Sequence, residues 1–149
     1  MFIGEFHHQV DGKGRIAVPA QLRRGLEPGS VIAIGLERRL VISPPVEWQA
    51  TVDRYRMALQ GGPEQRRFMR QFYASARPVE LDGQGRLLLD SQHRHHAQIA
   101  DRAVFVGVSD VVELVGEGIW AAEQADFNPE LFTELADRIN QTNKAFPAP

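Results

Sequence analysis

The sequence predicts an α+β fold in which a small β-rich unit occurs twice. The stretch VDGKGRIAV at 10–18 reappears as LDGQGRLLL at 81–89, a displacement of 71 positions. Short runs around both stretches alternate apolar and polar residues, as half-buried strands do. Further matches at displacements of 71 or 72 are Gln21 with Gln92, Arg23 with Arg94, Ile34-Gly35 with Val106-Gly107, and Trp48 with Trp120. We therefore expect residues 1–48 and 77–120 to form pseudo-symmetric halves.

Each copy begins with a predicted strand, turn and strand. In the first copy the alternating stretch runs from Phe2 to Val10, and the second strand lies at 15–18. Asp11 and the glycines that follow it predict the turn between them. The Asp side chain accepts hydrogen bonds from backbone amides, and glycine adopts a positive φ without steric cost.

A short helix and two apolar strands complete each copy. Pro19 suits the first turn of a helix that extends to about Leu26. Apolar strands are predicted from Val31 to Leu36 and from Leu40 to Ser43. In the second copy, the candidate N-cap residues of the short helix are Asp90 and Ser91.

Longer helices are predicted between and after the two copies. Pro44-Pro45 begins one, with an apolar stripe formed by Trp48, Val52, Tyr55 and Leu59. Gly61-Gly62-Pro63 separates it from a second, whose predicted buried line is Phe68, Phe72 and Ala76 and whose exposed side carries Arg66, Arg67 and Arg70. Asn128-Pro129 begins a third, which contains Leu131, Leu135 and Ile139.

These elements divide the chain into five predicted segments. They are a first β unit at 1–48, connecting helices at 49–76, a second β unit at 77–120, C-terminal helices at 121–142 and a loose tail at 143–149. The two β units are expected to pack as one domain.

Composition excludes several classes of protein. The chain has no cysteine, so it holds no disulfide or thiolate metal site, which fits a reducing cytoplasm. No apolar run approaches the roughly 20 residues of a membrane helix, and the N-terminus does not resemble a signal peptide. The net charge is −2, but it is uneven: residues 1–80 hold 12 Lys and Arg against 8 Asp and Glu, whereas residues 81–149 hold 5 against 11. The basic part can face phosphates, although uneven solvated charge is common.

The residues that suggest catalysis or metal binding do not form a recognised pattern. His93, His95 and His96 are spaced by two and three, whereas helical metal ligands usually lie four apart. Asp11 and Asp82 resemble a carboxylate pair, but their identical turn contexts indicate two turn-formers. We therefore expect no enzyme activity, no metal, no cofactor and no small-molecule substrate.

The two D-G-x-G-R hairpins remain as the candidate site. The guanidinium groups of Arg15 and Arg86 match a phosphate or the O6/N7 edge of guanine. Lys13 supplies a point charge at one loop tip, and Gln84 supplies an amide at the other. A two-stranded ribbon also fits the major groove of DNA. The alternative is that each Arg pairs with the Asp four residues earlier and stiffens its loop, and both roles are compatible. The predicted loop-orienting residues are Asp11, Gly14, Asp82 and Gly85.

With these motifs the chain resembles the MraZ family of bacterial transcriptional regulators. The resemblance rests on MFIGEF at 1–6, VDGKGRIAVPA at 10–20, Glu47-Trp48 and VELDGQGRLLL at 79–89, and it spans roughly residues 1–125. It implies two AbrB-like units folded as a swapped-hairpin β-barrel, a pseudo-dimer within one chain. In the second copy Asp90 replaces a usual proline, and the stretch 93–96 replaces a more apolar helix.

The resemblance also implies a function. It predicts a cytoplasmic, nucleoid-associated repressor that assembles into a ring-shaped homo-oligomer. Such a ring would bind double-stranded promoter repeats upstream of the division and cell-wall gene cluster through Lys13, Arg15, Gln84 and Arg86. The alternative is a protein-interaction or antitoxin-like ring that shares only the barrel.

Overall fold

The structure is a computed structural model that describes residues 1–143 of the 149. The strands are β1 (Glu5–Gln9), β2 (Arg15–Ala17), β3 (Val31–Ile34), β4 (Leu40–Ser43), β5 (Arg77–Pro78), β6 (Arg86–Leu88), β7 (Arg102–Val108) and β8 (Val111–Gly116). The helices are α1 (Ala20–Arg23), α2 (Pro45–Ala58), α3 (Pro63–Ser75), α4 (Ser91–His96), α5 (Glu117–Ala125) and α6 (Pro129–Asn143). Residues 144–149 of the predicted tail lie outside the described residues.

The two copies exchange their first strands. Six strands form one antiparallel sheet in the order β1-β7-β8-β4-β3-β5, and β2 pairs with β6 in a separate two-stranded ribbon. Within the sheet, β1 of the first copy pairs with β7 of the second, and β5 of the second copy pairs with β3 of the first. The predicted α+β fold, with a duplicated swapped-hairpin barrel, is confirmed.

A pseudo-twofold axis relates the two copies, and the pairing of their strands shows which residues are equivalent. In the ribbon, Ile16 faces Leu87, and the flanking pairs are related by the displacement of 71. In the sheet, however, His7 pairs with Val104, and Pro78, the equivalent of His7 at a displacement of 71, pairs with Val31. Val104 is therefore the equivalent of Val31, so β3 corresponds to β7 at a displacement of 73. The sequence match of Ile34-Gly35 with Val106-Gly107 is therefore wrong by one residue.

The shift arises in the hairpin turns. In the first copy three residues, 36–38, separate Gly35 from Arg39, which are joined by a backbone hydrogen bond. In the second copy only residues 109–110 separate the paired Val108 and Val111. The shorter turn restores the displacement of 72 in β4 and β8, where Val41 pairs with its own equivalent, Glu113. Side-chain matching cannot detect this compensating change, because both alignments place apolar residues opposite one another.

The core lies between the ribbon and the inner face of the sheet. It is formed by side chains from both copies, including Ile16, Leu87, Ile42, Phe105 and Leu114, all at most 3% exposed. Burying one such side chain contributes about 1.5–3 kcal/mol. The ribbon is therefore held from beneath by the core, and its other face is presented outwards.

Several local predictions differ from the structure. The first strand begins only at Glu5, after Gly4 with a φ of 100°, and Phe2 joins the sheet as an isolated bridge to Ser109. The helix expected to reach Leu26 ends at Arg23, and the strand expected to reach Leu36 ends at Ile34.

The predicted buried line of α3 is correct only in part. Phe72 and Ala76 are half-buried, and the ring of Phe72 stacks on that of Trp48 in α2 with centroids 5.6 Å apart. Phe68, however, is 47% exposed, whereas Met69 and Ser75 are buried. The helix turns this side inwards because it packs on β3, where Ser75 Oγ accepts a hydrogen bond from the backbone N–H of Ile34 at 3.1 Å. In α6, Leu135 and Ile139 are each 40% exposed, so the apolar stripe of that helix is not covered by the described chain.

Candidate nucleic-acid interface

The two D-G-x-G-R loops have the same hydrogen-bonded geometry. Asp11 Oδ1 accepts from the backbone N–H groups of Lys13 and Arg15, both at 2.9 Å, and Asp11 Oδ2 accepts from Nε of Arg15 at 2.7 Å. In the second copy, Asp82 makes the same three bonds to Gln84 and Arg86, at 2.9, 3.0 and 2.7 Å. The sequence folds this way locally because one carboxylate satisfies both the turn amides and the guanidinium of the following strand.

A glycine closes each loop and ties it to the other copy. Gly14 and Gly85 have φ values of 82° and 75°, which glycine adopts without strain. Their carbonyl groups accept hydrogen bonds across the ribbon, from Leu89 N–H to Gly14 at 2.9 Å and from Val18 N–H to Gly85 at 3.0 Å. Each loop therefore depends on the strand of the opposite copy.

The ribbon presents both arginines on its outer face. Alternation buries Ile16 and Leu87, so that Arg15 and Arg86 point to the opposite side, with side chains 31% and 28% exposed. Nη1 of Arg86 lies 3.8 Å from Oδ2 of Asp11, so the two loops adjoin. Lys13 and Gln84 are exposed at the loop tips. The structure thus brings all four predicted contact residues to one surface.

The loop carboxylates stay ionised. Hydrogen bonds from the backbone N–H of Arg15, from its guanidinium and from the N–H of Lys13 lower the pKa of Asp11 to about 2. The equivalent bonds from Arg86, led by its backbone N–H, lower the pKa of Asp82. The Asp–Arg pair that the sequence suggested is therefore present. It uses the Nε–H of each arginine, so both Nη groups of Arg15 and the Nη2 group of Arg86 are left for a ligand, while Nη1 of Arg86 lies near Asp11.

Two further arginines lie against the loops. A methyl group added to Gly85 would overlap Nη1 of Arg23, and one added to Gly14 would lie 3.6 Å from Cζ of Arg94. Each arginine covers the loop of the opposite copy. Arg23 and Arg94 match at a displacement of 71 in the repeat, but they were not predicted to belong to the site. Their identical positions in the two copies were the available signal.

The histidines of the second copy have structural contacts. His93 is buried, with Nε2 at 2.7 Å from the carbonyl oxygen of Ser75. His96 Nε2 lies 2.9 Å from the carbonyl oxygen of Gly35, and His95 is exposed. Within residues 1–143, no group of three or more metal-binding side chains is placed to hold an ion. The helices of the same residues include none long and apolar enough to span a membrane.

A buried arginine in the turn between β3 and β4 connects that turn to α5. Arg39 is 7% exposed and pairs with Glu123, while its Nε lies 3.6 Å from Glu113 Oε1. Burial raises the pKa of Glu113, although the guanidinium opposes this. This cluster lies outside the loops and joins Arg39 of the first copy to β8 and α5 of the second.

Both halves of the chain match one protein family. Residues 1–71, and again residues 72–143, match the model of the family described as "MraZ protein, putative antitoxin-like". The chain belongs to the MraZ family. The second match extends to residue 143, so the family pattern continues beyond residue 125, where the sequence resemblance was expected to end. It includes α5 and α6, just as the first match includes α2 and α3 up to residue 71.

Similar proteins from several bacteria are each named "Transcriptional regulator MraZ". The Desulfitobacterium hafniense protein is 41% identical over 121 residues, which cover 81% of this chain and 85% of that protein. The Symbiobacterium thermophilum protein is 39% identical over 141 residues, covering 92% and 99%. The Lachnoclostridium phytofermentans protein is 37% identical over 147 residues, covering 98% and 100%. These MraZ relatives are named as regulators and not as enzymes.

Asp90, which stands where the MraZ motif usually has a proline, still begins a helix, α4. Asp90 Oδ1 accepts a hydrogen bond from the backbone N–H of His93 at 2.8 Å, which caps α4. Its Oδ2 also lies 3.2 Å from Nε of Arg77 in β5. Of the two candidate caps, Asp90 is the one that serves. The carboxylate therefore replaces the fixed backbone of proline as the start signal of this helix.

Proposed function

We propose that this protein is a transcriptional regulator that binds double-stranded DNA through the outer face of the β2–β6 ribbon. The single observation that carries the proposal is the placement of Arg15 and Arg86 on one exposed face, each oriented by its own ionised Asp. The printed names of the relatives support the regulatory role.

The shape and charge of this face suit DNA. A two-stranded antiparallel ribbon fits the major groove, about 12 Å wide, where the arginine Nη groups can donate to guanine O6 and N7. The two loops and the two arginines that lie against them together hold five basic side chains and two carboxylates: Lys13, Arg15, Arg23, Arg86 and Arg94, with Asp11 and Asp82. A chain whose net charge is −2 thereby directs a positive surface at phosphate groups.

The assembly and the targets extend this proposal. One chain presents two adjoining loops and neutralises few phosphates, so its own affinity for DNA is low. We propose that a ring-shaped homo-oligomer engages promoter repeats of the division and cell-wall gene cluster and represses it. Linking several weak sites raises the overall affinity by about 10²–10⁴. Such a protein would act in the cytoplasm, associated with the nucleoid.

Fluorescence anisotropy on a labelled duplex from the region upstream of the protein's own gene tests the contact. Arg15→Ala is expected to weaken binding by about 1–3 kcal/mol per engaged chain, a factor of roughly 5–160. Lys13→Ala should weaken binding across sequences and flatten its dependence on salt, as removal of a phosphate contact does. Arg86→Ala tests whether the second copy contributes.

The matched control is Arg56→Ala. It removes the same charge from an arginine whose side chain is 70% exposed on α2, away from the ribbon. Its affinity should stay within about twofold of wild type, since surface substitutions away from a site have small effects. Wild-type affinity of Arg15→Ala, in a protein with unchanged assembly by light scattering, would refute DNA binding through the ribbon.

In that case an antitoxin-like interaction module becomes the better proposal. The family description includes that term, and α6 exposes apolar side chains, with Phe132 65% exposed. Such a module would retain its partner binding in Arg15→Ala and lose it on substitution of the α6 face.

A further inference from the structure

The outer face of the ribbon also carries an exposed leucine. Leu88 has 64% of its surface exposed, whereas its neighbours Leu87 and Leu89 are 3% and 1% exposed. Strand pairing places Leu88 directly opposite Arg15. A leucine at this position adds nothing to the core, which lies on the other side of the ribbon.

The pseudo-twofold axis gives Leu88 a different counterpart. Its equivalent in the first copy is Ala17, which faces Arg86. The outer face therefore has two ends: one combines Arg15 with Leu88, and the other combines Arg86 with Ala17. The loop tips differ as well, because Lys13 corresponds to Gln84.

We propose, on the basis of the proposed function, that Leu88 determines sequence specificity by contacting the C5-methyl group of a thymine. In the major groove this methyl is the apolar group that distinguishes one base edge from the others. Directly paired residues on antiparallel strands have Cβ atoms about 4.5–5.5 Å apart. Base pairs are stacked about 3.4 Å apart. The thymine therefore lies one or two base pairs from the guanine contacted by Arg15.

The same arrangement gives the complex a direction. The side chain of Ala17 is a single methyl group and extends less far than leucine, so the end with Arg86 makes a weaker contact with a thymine methyl. A site that satisfies Leu88 therefore fixes which end of the ribbon lies at which end of the site. The chain binds a non-palindromic site although its backbone is pseudo-symmetric.

The test uses a duplex selected by the wild-type protein from a random-sequence library. Each thymine of the duplex is replaced in turn by deoxyuridine, which removes only the methyl group. Wild-type protein should lose about threefold to tenfold in affinity at one position and little elsewhere, as expected for one buried methyl. Leu88→Ala should bind the thymine duplex with that same loss and should not distinguish thymine from uracil there.

Two further variants sharpen the test. Val46→Ala shortens an apolar residue that is 75% exposed on α2, and it should keep the wild-type uracil profile. Ala17→Leu should create a second uracil-sensitive position beside the guanine contacted by Arg86. All variants should keep the wild-type assembly in light scattering.

The outcomes separate this inference from the proposed function. Leu88→Ala with the wild-type uracil profile, or a wild-type protein insensitive to uracil at every position, overturns the role of Leu88. Loss of assembly in Leu88→Ala overturns it too, because the leucine would then be an interface residue. In each case DNA binding through the ribbon still stands if Arg15→Ala loses affinity. It falls if Arg15→Ala binds as the wild type does.

Discussion

Replacement of Gly14 by alanine tests how strongly the loop geometry depends on glycine. Gly14 has a φ of 82°, and an added Cβ would lie 3.1 Å from the carbonyl oxygen of Leu89. A left-handed conformation costs a non-glycine residue about 1–2 kcal/mol. The backbone oxygen cannot move away freely, because the N–H of the same residue donates to Gly14. Alanine stabilises a protein by about 0.4–1 kcal/mol through the unfolded chain, which offsets part of this cost.

The left-handed cost less the unfolded-chain gain leaves up to about 1.6 kcal/mol, and the 3.1 Å contact adds to it, so Gly14→Ala should lose about 1–2 kcal/mol in the free energy of unfolding. For a chain of this size that lowers Tm by about 2–8 °C. Gly12 in the same loop is the matched control, because it has no positive φ and a Cβ there would meet no atom within 4 Å. Gly12→Ala should be neutral or slightly stabilising. Thermal and urea unfolding followed by circular dichroism measure both, and a Gly14→Ala protein as stable as Gly12→Ala would refute the strain.

Three other outcomes are expected. The pKa of about 2 at Asp11 lies below its unfolded value, so its stabilisation is present above about pH 4 and is lost as the pH falls through about 2. The gap in urea midpoint between wild type and Asp11→Asn should therefore close over that range, and a constant gap would contradict it. His93→Ala should lower stability by about 1–3 kcal/mol, because it leaves a buried carbonyl unpaired, whereas exposed His95→Ala should change it by less than about 0.5 kcal/mol. Equal Tm values would contradict that contrast. Arg39→Met should destabilise by about 1–3 kcal/mol by leaving two glutamates without their cation, and a Tm equal to that of Arg56→Ala would refute this.

The repeat allowed the fold class and the geometry of the candidate loops to be predicted from the sequence. In a turn with this sequence, the Asp carboxylate can accept hydrogen bonds from two backbone N–H groups and from the Arg side chain. The structure forms this arrangement twice, with hydrogen-bond lengths that agree within 0.1 Å. The alternating pattern also placed Ile16 and Leu87 inwards and the arginines outwards, since side-chain direction in a strand has a period of two.

What the sequence did not provide depends on contacts between distant residues. The role of Arg23 and Arg94 arises from strand exchange, which brings each beside the loop of the other copy. The exposure of Phe68 on α3 has a similar origin. The sequence suggested a buried line through Phe68, but the helix instead turns Ser75 towards β3, where it accepts a backbone hydrogen bond. The burial of His93 also depends on a distant contact, because its partner Ser75 lies 18 residues away.

The exchange of β1 and β5 has a consequence for how this protein can change over time. Since the first strand of each half completes the sheet of the other, neither half has a full set of backbone partners without its mate. In a dimer of identical subunits, a substitution would alter both hairpins at once. Here the halves are joined in one polypeptide, so assembly of the barrel does not depend on protein concentration. A substitution can then change one hairpin alone, while the other hairpin and the strand pairing of the barrel stay the same. The two hairpins of this chain already differ in this way, with Lys13 against Gln84 and Ala17 against Leu88.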